Sequence, residues 1–404
     1  MGEWRVVRFG DVTENFDPLR VPVRSGDRVQ GTYPYYGASG IVDYVHDYIF
    51  DGEYLLIAED GENLRTRKTP VAFMASGRFW VNNHAHVVRG NALASSRFLC
   101  YVLTGIDISG NLSGSTQPKL TQASLNDVRL RVPDRETQDS IVEVLGALDD
   151  KIALNERIAA TARQLCRASM EALWVEGTVS SLTDREAVLA DGWHRSTLGR
   201  VCADGGGAIQ TGPFGSQLHA SDYVESGIPS VMPQNIGDNE ISEDGIARIA
   251  RSDADRLSKY LLAEGDIVYS RRGDVKRRAL VRQHEAGWLC GTGCLRVRVG
   301  TSTRPLFMSY YLGEPEIQDW VVQHAVGATM PNLNTSILGE TPVVLPPAEV
   351  VDRVHERLAA LDQSATHVTH ENRTLADLRD TLLPQLITGN LRVKDATRVV
   401  EEAV

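Results

Sequence analysis

Between Pro133 and Leu173 the apolar positions advance by alternate steps of four and three: Ile141, Leu145, Leu148, Ile152, Asn155, Ala159, Ala162, Cys166, Ser169 and Leu173. Such a stripe belongs to a helix under-wound to about 3.5 residues per turn, the seam of a coiled coil. The pattern returns between Pro346 and Leu386 through Val351, Val354, Leu358, Leu361, Ala365, Val368, Asn372, Leu375, Arg379, Leu382 and Leu386. Each seam carries one Asn, a residue able to set register. The pattern predicts two long helices packed as an antiparallel coiled coil. The first is expected over 135–174, about 60 Å at 1.5 Å per residue.

Outside the seams the period shortens to that of strands. Tyr44–Ile49 and Tyr54–Ala58 are expected strands broken by Asp51-Gly52, a hairpin dipeptide. Trp80–Val88 and Trp288–Val299 also alternate, and Leu262–Ser270 runs as a buried strand into a Gly turn. Arg97–Gly105 is expected to be a short apolar helix, and Asp184–Leu189 to have helical character. Gly205-Gly206-Gly207 lacks the Gly-Lys-Ser/Thr ending of a phosphate loop and is expected to be a flexible loop.

The chain repeats itself. Trp4-Arg5-Val6-Val7-Arg8-Phe9-Gly10-Asp11-Val12 is echoed 189 positions later by Trp193-His194-Arg195-Ser196-Thr197-Leu198-Gly199-Arg200-Val201. Gly114-Ser115-Thr116-Gln117-Pro118-Lys119-Leu120 is echoed by Gly327-Ala328-Thr329-Met330-Pro331-Asn332-Leu333, at an offset of 213 that persists to Asp149/Asp362. Beyond it, Asn155 matches Asn372 only if four residues, about one helical turn, are inserted in the second copy. The expected fold class is α+β: two β-rich domains separated by two long helices, related as a pseudo-twofold internal repeat. The expected boundaries are domain 1 at 1–133, helix 1 at 134–177, a linker at 178–192, domain 2 at 193–346, helix 2 at 347–390 and a tail at 391–404. Tyr33–His86 and Leu262–Leu295 are unlike in sequence, so the two domains are expected to recognise different things.

Charge changes the picture of what the domains meet. The chain carries −11 overall, which argues against a nucleic-acid partner. Residues 134–192 hold 6 basic against 12 acidic residues, and 347–404 hold 7 against 10, so most of the excess lies in the helical segments. Residues 64–131 hold nine basic and two acidic residues, and 271–304 repeat those numbers. Two basic halves on an acidic frame fit a DNA binder whose helices face protein. The candidate DNA contacts are Arg65, Arg67, Lys68, Arg78, Asn82, Asn83, His84 and Lys119 in the first half. In the second they are Ser270, Arg271, Arg272, Lys276, Arg277, Arg278, Arg296 and Arg298. The cations suit phosphates, whereas Asn82, Asn83 and His84 suit base edges. Asn82-Asn83 reads equally as a turn, and Arg296 and Arg298 as charged gatekeepers of an edge strand. His84 with His86, and Cys290 with Cys294, are too short of companions for a metal site. Five scattered cysteines and an N-terminus, Met1-Gly2-Glu3-Trp4-Arg5, without signal-peptide character lead to an expected cytoplasmic setting.

These pieces together resemble the specificity (S) subunit of type I DNA restriction–modification systems. Tyr35–Ile41, Ile49–Glu53, Glu59-Asp60-Gly61 and Ala75–His86 resemble one class of target-recognition domain; Glu264–Ile267, Arg271-Arg272-Gly273 and Cys290–Leu295 resemble another. The two Gly-to-Pro-x-Leu loops with their helices resemble the spacer regions, and Leu382–Gly389 the usual C-terminal helix end. The resemblance implies a non-catalytic chain in which each domain reads half of a bipartite double-stranded DNA site. It also implies helices that fix the spacing and dock two methyltransferase (M) subunits. Those partners, not this chain, would hold S-adenosylmethionine and methylate adenine N6, with motor-nuclease (R) subunits joining for cleavage. No Asn-Pro-Pro-Phe or Asp-Pro-Pro-Tyr methyltransferase motif and no Walker lysine loop occurs. The competing reading is a coiled-coil interaction scaffold with no DNA role.

Overall fold

The computed structural model describes residues 4–114, 116–327 and 331–403. Ser115, Ala328, Thr329 and Met330 of the repeated loops, and Met1, Gly2 and Glu3, lie outside the described residues. The first half forms strands β1 (Arg5–Arg8), β2 (Thr13–Asn15), β3 (Gln30–Gly37), β4 (Gly40–Val45), β5 (Phe50–Asp51), β6 (Tyr54–Ala58), β7 (Ala72–Ala75), β8 (Arg78–Val81), β9 (Ala85–Gly90) and β10 (Arg129–Val132). Its helices are α1 (Asn63–Thr66), α2 (Ser96–Gly105), α3 (Gln122–Asn126) and α4 (Arg135–Glu176). The second half forms β11 (His194–Thr197), β12 (Ala208–Thr211), β13 (Tyr223–Val224), β14 (Ile228–Val231), β15 (Ala247–Ile249), β16 (Ile267–Ser270), β17 (Arg278–Leu280), β18 (Leu289–Cys290), β19 (Cys294–Arg298) and β20 (Pro342–Leu345). Its helices are α5 (Leu198–Asp204), α6 (Arg251–Arg256), α7 (Pro305–Tyr311), α8 (Pro315–His324), α9 (Thr335–Gly339), α10 (Ala348–Thr388) and α11 (Val393–Ala403).

The chain divides into two compact units, Met1–Glu156 with Thr369–Val404, and Arg157–Val368. In the first unit one sheet has the order β2-β9-β6-β7, a second β4-β3-β8-β5, and β1 pairs β10. All pairings are antiparallel except β3 with β8, where Tyr35 lies opposite Trp80. The run Tyr54-Leu55-Leu56-Ile57-Ala58 is buried throughout because alternate side chains enter two cores. Leu55 and Ile57 join Phe9, Phe98, Leu145 and Leu382 beneath the sheet. Tyr54 and Leu56 join Phe50, Phe79 and Val87 between the sheets. Each such aliphatic side chain contributes about 1.5–3 kcal/mol by leaving water.

The second unit repeats this plan: β12-β19-β16-β17, a second sheet β13-β15-β14-β18 containing one parallel pair, and β11 with β20. The register matches residue for residue. Leu55 faces Val88 and Ala58 faces Ala85; Ile267 faces Val297 and Ser270 faces Cys294. Two stretches unlike in sequence therefore adopt one sheet. The short helices α3 and α9 also start alike, Thr121 accepting a bond from Ser124 N and Asn334 from Ile337 N.

In each unit a segment of α4 packs antiparallel against a segment of α10. In the first, Asn155 Nδ2 donates to Glu371 Oε2 (2.7 Å) and Asn372 Oδ1 (2.9 Å), while Asp149 meets Arg379 (3.0 Å). In the second, Ala159 and Ala162 pack with Ala365 and Val368. The two Asn residues are thus partners across the seam, not copies of each other. The four-residue insertion is not needed. At a constant offset of 213 every seam position from Ile141/Val354 to Leu173/Leu386 falls on a seam position, with Asn155 matching Val368 and Ala159 matching Asn372.

A Tyr–Asp bond joins domain to helix in both units. Tyr101 donates to Asp149 (2.6 Å) and Tyr310 to Asp362 (3.1 Å). Each Asp also holds an arginine, Arg379 and Arg282 respectively. Each unit closes with an indole on a helix-end glycine. A Cβ on Gly389 would meet the Trp4 ring at 2.6 Å, and one on Gly177 the Trp193 ring at 2.4 Å.

Three expectations fail locally. Of Tyr44–Ile49 only Tyr44 and Val45 are strand, and Asp51-Gly52 closes no hairpin, because β5 pairs with β8 rather than with β6. Residues 178–192 contain no helix; Ser181, Leu182 and Thr183 instead wrap the Glu316 carboxylate, which accepts both their N–H and hydroxyl groups. Gly205-Gly206-Gly207 is not a loose loop, because Gly205 and Gly207 lie against the backbone of Arg298 and Val299, with room for no side chain.

Candidate DNA interface

At the end of β6 the chain turns through Glu59-Asp60-Gly61, and at the end of β16 through Arg271-Arg272-Gly273. One set of backbone bonds fixes both turns. Glu59 N donates to His84 O (2.8 Å), Leu120 N to Glu59 O (2.8 Å) and Gly61 N to Pro118 O (3.1 Å). In the other unit Arg271 N donates to Gly293 O (2.8 Å), Leu333 N to Arg271 O (2.9 Å) and Gly273 N to Pro331 O (3.2 Å). The partner loop closes on itself identically, Ser113 with Lys119 and Val326 with Asn332. Gly61 and Gly273 both have positive φ, 108° and 73°, which side chains resist. The apolar strand, the turn and the Gly-x-x-x-Pro-x-Leu loop are one composite element, built twice.

The side chains on this frame are opposite in charge. The first turn residue reaches the loop: Glu59 pairs with Lys119 (3.3 Å), and Arg271 Nε donates to Asn332 Oδ1 (3.3 Å) and Leu333 O (3.2 Å). The second turn residue is Asp60 in one unit and Arg272 in the other. Both Asp60 oxygens lie against His84 Nδ1, at 3.0 and 2.8 Å, and the His84 side chain is 50% exposed. His84 corresponds to Gly293, so the second unit has no side chain at that place. Arg272 is exposed, with no side-chain partner recorded among the described residues.

Of the other candidates, Lys68 and Asn83 are exposed. Arg65 donates to Gly114 O (2.8 Å) and Arg67 to Thr104 O (3.1 Å), which ties both to the protein surface. Arg78 pairs with Asp51 (3.2 Å) and lies over the Tyr48 ring. Lys276 pairs with Asp319 (2.8 Å) and Arg277 with Asp274 (3.3 Å), both partly exposed.

Five candidates are committed to partners in the protein, four of them buried and Arg298 partly exposed. Asn82 is 8% exposed, and its Oδ1 accepts from His84 N in a turn, the alternative weighed for it. Ser270 is buried and bonds Arg272 O. Arg278 is 3% exposed, donating to Ser309 O and pairing with Asp238. Arg296 takes the sheet position of buried Val87 and donates to Lys259 O, Leu261 O and Gln210 Oε1. Arg298 grips Asp266 through two bonds of 2.6 Å, and that bond holds its guanidinium above the usual range. For the buried guanidiniums of Arg278 and Arg296 a charge without such partners is prohibitively costly, so these bonds fix where the side chains stay.

Sequence reading missed the network behind Glu59. Arg20 meets Glu59 (2.8 Å) and Asp17 (3.4 Å), and buried His86 meets Asp17 (2.6 Å). Burial raises the Asp17 carboxyl, but the His86 bond and charge outweigh it, and the net shift is downward. Asp17, Glu59 and His86 place their ligand atoms within 4.8 Å of one another. A metal finds no open donor there: His86 Nε2 is bonded to Leu120 O (2.8 Å), Nδ1 to Asp17, and Arg20 and Lys119 occupy the carboxylates. Cys290 and Cys294 are both buried, and burial pushes the Cys290 thiol to about 12. The signal for the composite element was available: aligning the turn glycines at an offset of 212 beside the loops at 213 exposes the charge reversal.

A family model described as the type I restriction modification DNA specificity domain matches residues 1–164. A Haemophilus influenzae protein described as a type I restriction enzyme specificity subunit is 40% identical over 150 residues, spanning 36% of this chain and 37% of its own length. The MjaVIII specificity subunit of Methanocaldococcus jannaschii is 19% identical over 412 residues, covering 97% of this chain and 94% of its own. The crystal structure of a type I system S subunit from M. genitalium matches with a TM-score of 0.65 at 15% identity, over 95% of this chain and 96% of that one. At that identity the structural likeness is one of fold.

Proposed function

We propose that this chain, which the type I restriction modification DNA specificity domain matches over residues 1–164, is the DNA-reading specificity subunit of a methyltransferase–nuclease assembly. Each domain reads one half of a bipartite site, and the paired helices set the unread spacing between halves. The chain performs no chemistry. Two methyltransferase subunits bring S-adenosylmethionine and modify adenine N6, and motor-nuclease subunits join for cleavage. The assembly works in the cytoplasm; no helix among the described residues is long and apolar enough to cross a membrane.

The observation that carries this reading is the composite strand–turn–loop, kept in backbone and changed in side chain. A scaffold binding one partner twice would keep the side chains; a reader of two unlike half-sites must keep the frame and vary them. Docking has its own surface. On α4, Ile158, Thr161, Leu165, Ala168, Ala172 and Val175 are all exposed at steps of three and four. That stripe lies beside the seam and is apolar except for Thr161, as a helix from a methyltransferase subunit would require.

DNA binding by the chain assembled with a type I methyltransferase subunit tests the reading. Replacing exposed Lys68 and Lys119 with Ala lowers affinity uniformly across sequences and reduces the slope of log affinity against log salt by about 2. An unchanged slope contradicts a phosphate-facing role for this surface.

A further inference from the structure

The composite turn sets unlike side chains on one backbone frame in the two units. Two domains that dock on DNA in the same way must present equivalent positions to it. Positions that hold the domain or grip phosphate can be alike in both; positions that read different bases must differ and must be free to reach out. Glu59 and Arg271 fail the second condition, since each is bonded to its own loop. Asn82, Ser270, Arg278 and Arg296 fail it by burial. The second turn position differs between the units and, with the strand residue beside the turn, reaches the surface: Arg272 is exposed in one unit, and in the other Asp60, itself only 20% exposed, holds the half-exposed His84 imidazole.

Resting on the proposed DNA-reading role, we propose that Arg272 and the Asp60–His84 pair are the specificity-determining residues of the two domains. They recognise bases of opposite hydrogen-bonding character. Arg272 is exposed and presents a fork of donors, the geometry that takes guanine O6 and N7. Asp60 accepts from His84 Nδ1, and in that neutral tautomer the other ring nitrogen, Nε2, is an acceptor. An acceptor pair suits a base edge bearing an amino group, cytosine N4 or adenine N6. The backbone bonds around both turns are the same, so at this position the units differ in their side chains.

The test is the sequence context of adenines methylated by the full chain assembled with its methyltransferase, for the wild type, Arg272→Ala and the double variant Asp60→Ala/His84→Ala. Arg272→Ala is expected to relax one guanine position in one half-site, with discrimination falling about ten- to hundredfold. The double variant is expected to relax one position in the other half-site by a similar factor. Each leaves the opposite half-site unchanged, which shows that the variant chain has folded and assembled. A second variant, Arg272→Lys, keeps the charge but loses the bidentate fork and is expected to relax the same position. Variants that keep the wild-type motif, or that relax both halves together, overturn the assignment while leaving the DNA-reading role intact. A wild-type assembly that methylates with no sequence preference overturns the role itself.

Discussion

Glu314 stands at the start of α8, immediately before Pro315, without a side-chain capping bond, and burial raises its carboxyl to about 7. The ordinary value is 4.5, so folding favours the protonated form. Its contribution is most favourable below about pH 4.5 and is lost as pH rises towards 7. Glu314→Gln removes that loss. The Tm of the variant minus that of the wild type is expected to grow between pH 5 and 7.5 and then level off, and a difference independent of pH would rule the account out. Asp17 works in the opposite sense: its lowered carboxyl stabilises above pH 4 and fails on acidification. Residue-scale chemistry of this kind was barely legible in the sequence. Asn82 is an apt base reader by type, yet its amide closes on the backbone two residues on, the cheaper local option. Arg278, Arg296 and Arg298 read as surface cations because their acceptors, Asp238, Leu261 O and Asp266, come from distant parts of the chain.

At the scale of elements the heptad seams were the most legible feature, because one period sustained over ten positions has few other meanings. The relation between the seams was misread. Two Asn residues invite matching as copies, but antiparallel helices bring together positions whose numbers have a constant sum, and Asn155 with Asn372 is such a pair. Asn155 is buried and bonded to both Glu371 and Asn372, and Asn372 also donates to Ile152 O (3.1 Å). Asn155→Leu leaves those partners desolvated and is expected to cost about 1–3 kcal/mol in urea unfolding. Adding Asn372→Leu is expected to recover part of the loss, giving a coupling of about 1 kcal/mol or more between the sites. Additive costs would mean that the two amides act independently. The linker failed differently: Asp184–Leu189 has helical composition, but tertiary bonding of Ser181–Thr183 to Glu316 takes the backbone elsewhere.

For the molecule as a whole, the sequence displayed a duplication at its loops, its seams and its tryptophans, and hid it between them. The strands are two to eight residues long, and their face-by-face burial admits different apolar choices, Leu55-Leu56-Ile57 in one unit and Ile267-Val268-Tyr269 in the other. What survives is backbone pairing, which residue types do not reveal. Nor did the sequence show that each compact unit is completed by the end of the helix begun in the other half, Trp4 closing on Gly389 and Trp193 on Gly177. A frame repeated with its charges exchanged is the central feature of this chain, and in the proposed function it makes two readers out of one design. The most direct measurement is to sequence the methylated adenines in DNA modified by the methyltransferase with and without this chain. The account predicts a bipartite motif with two unlike halves and a fixed unread gap, present only with the chain. Methylation that is unchanged without the chain, or that follows a symmetric or contiguous motif, would contradict it.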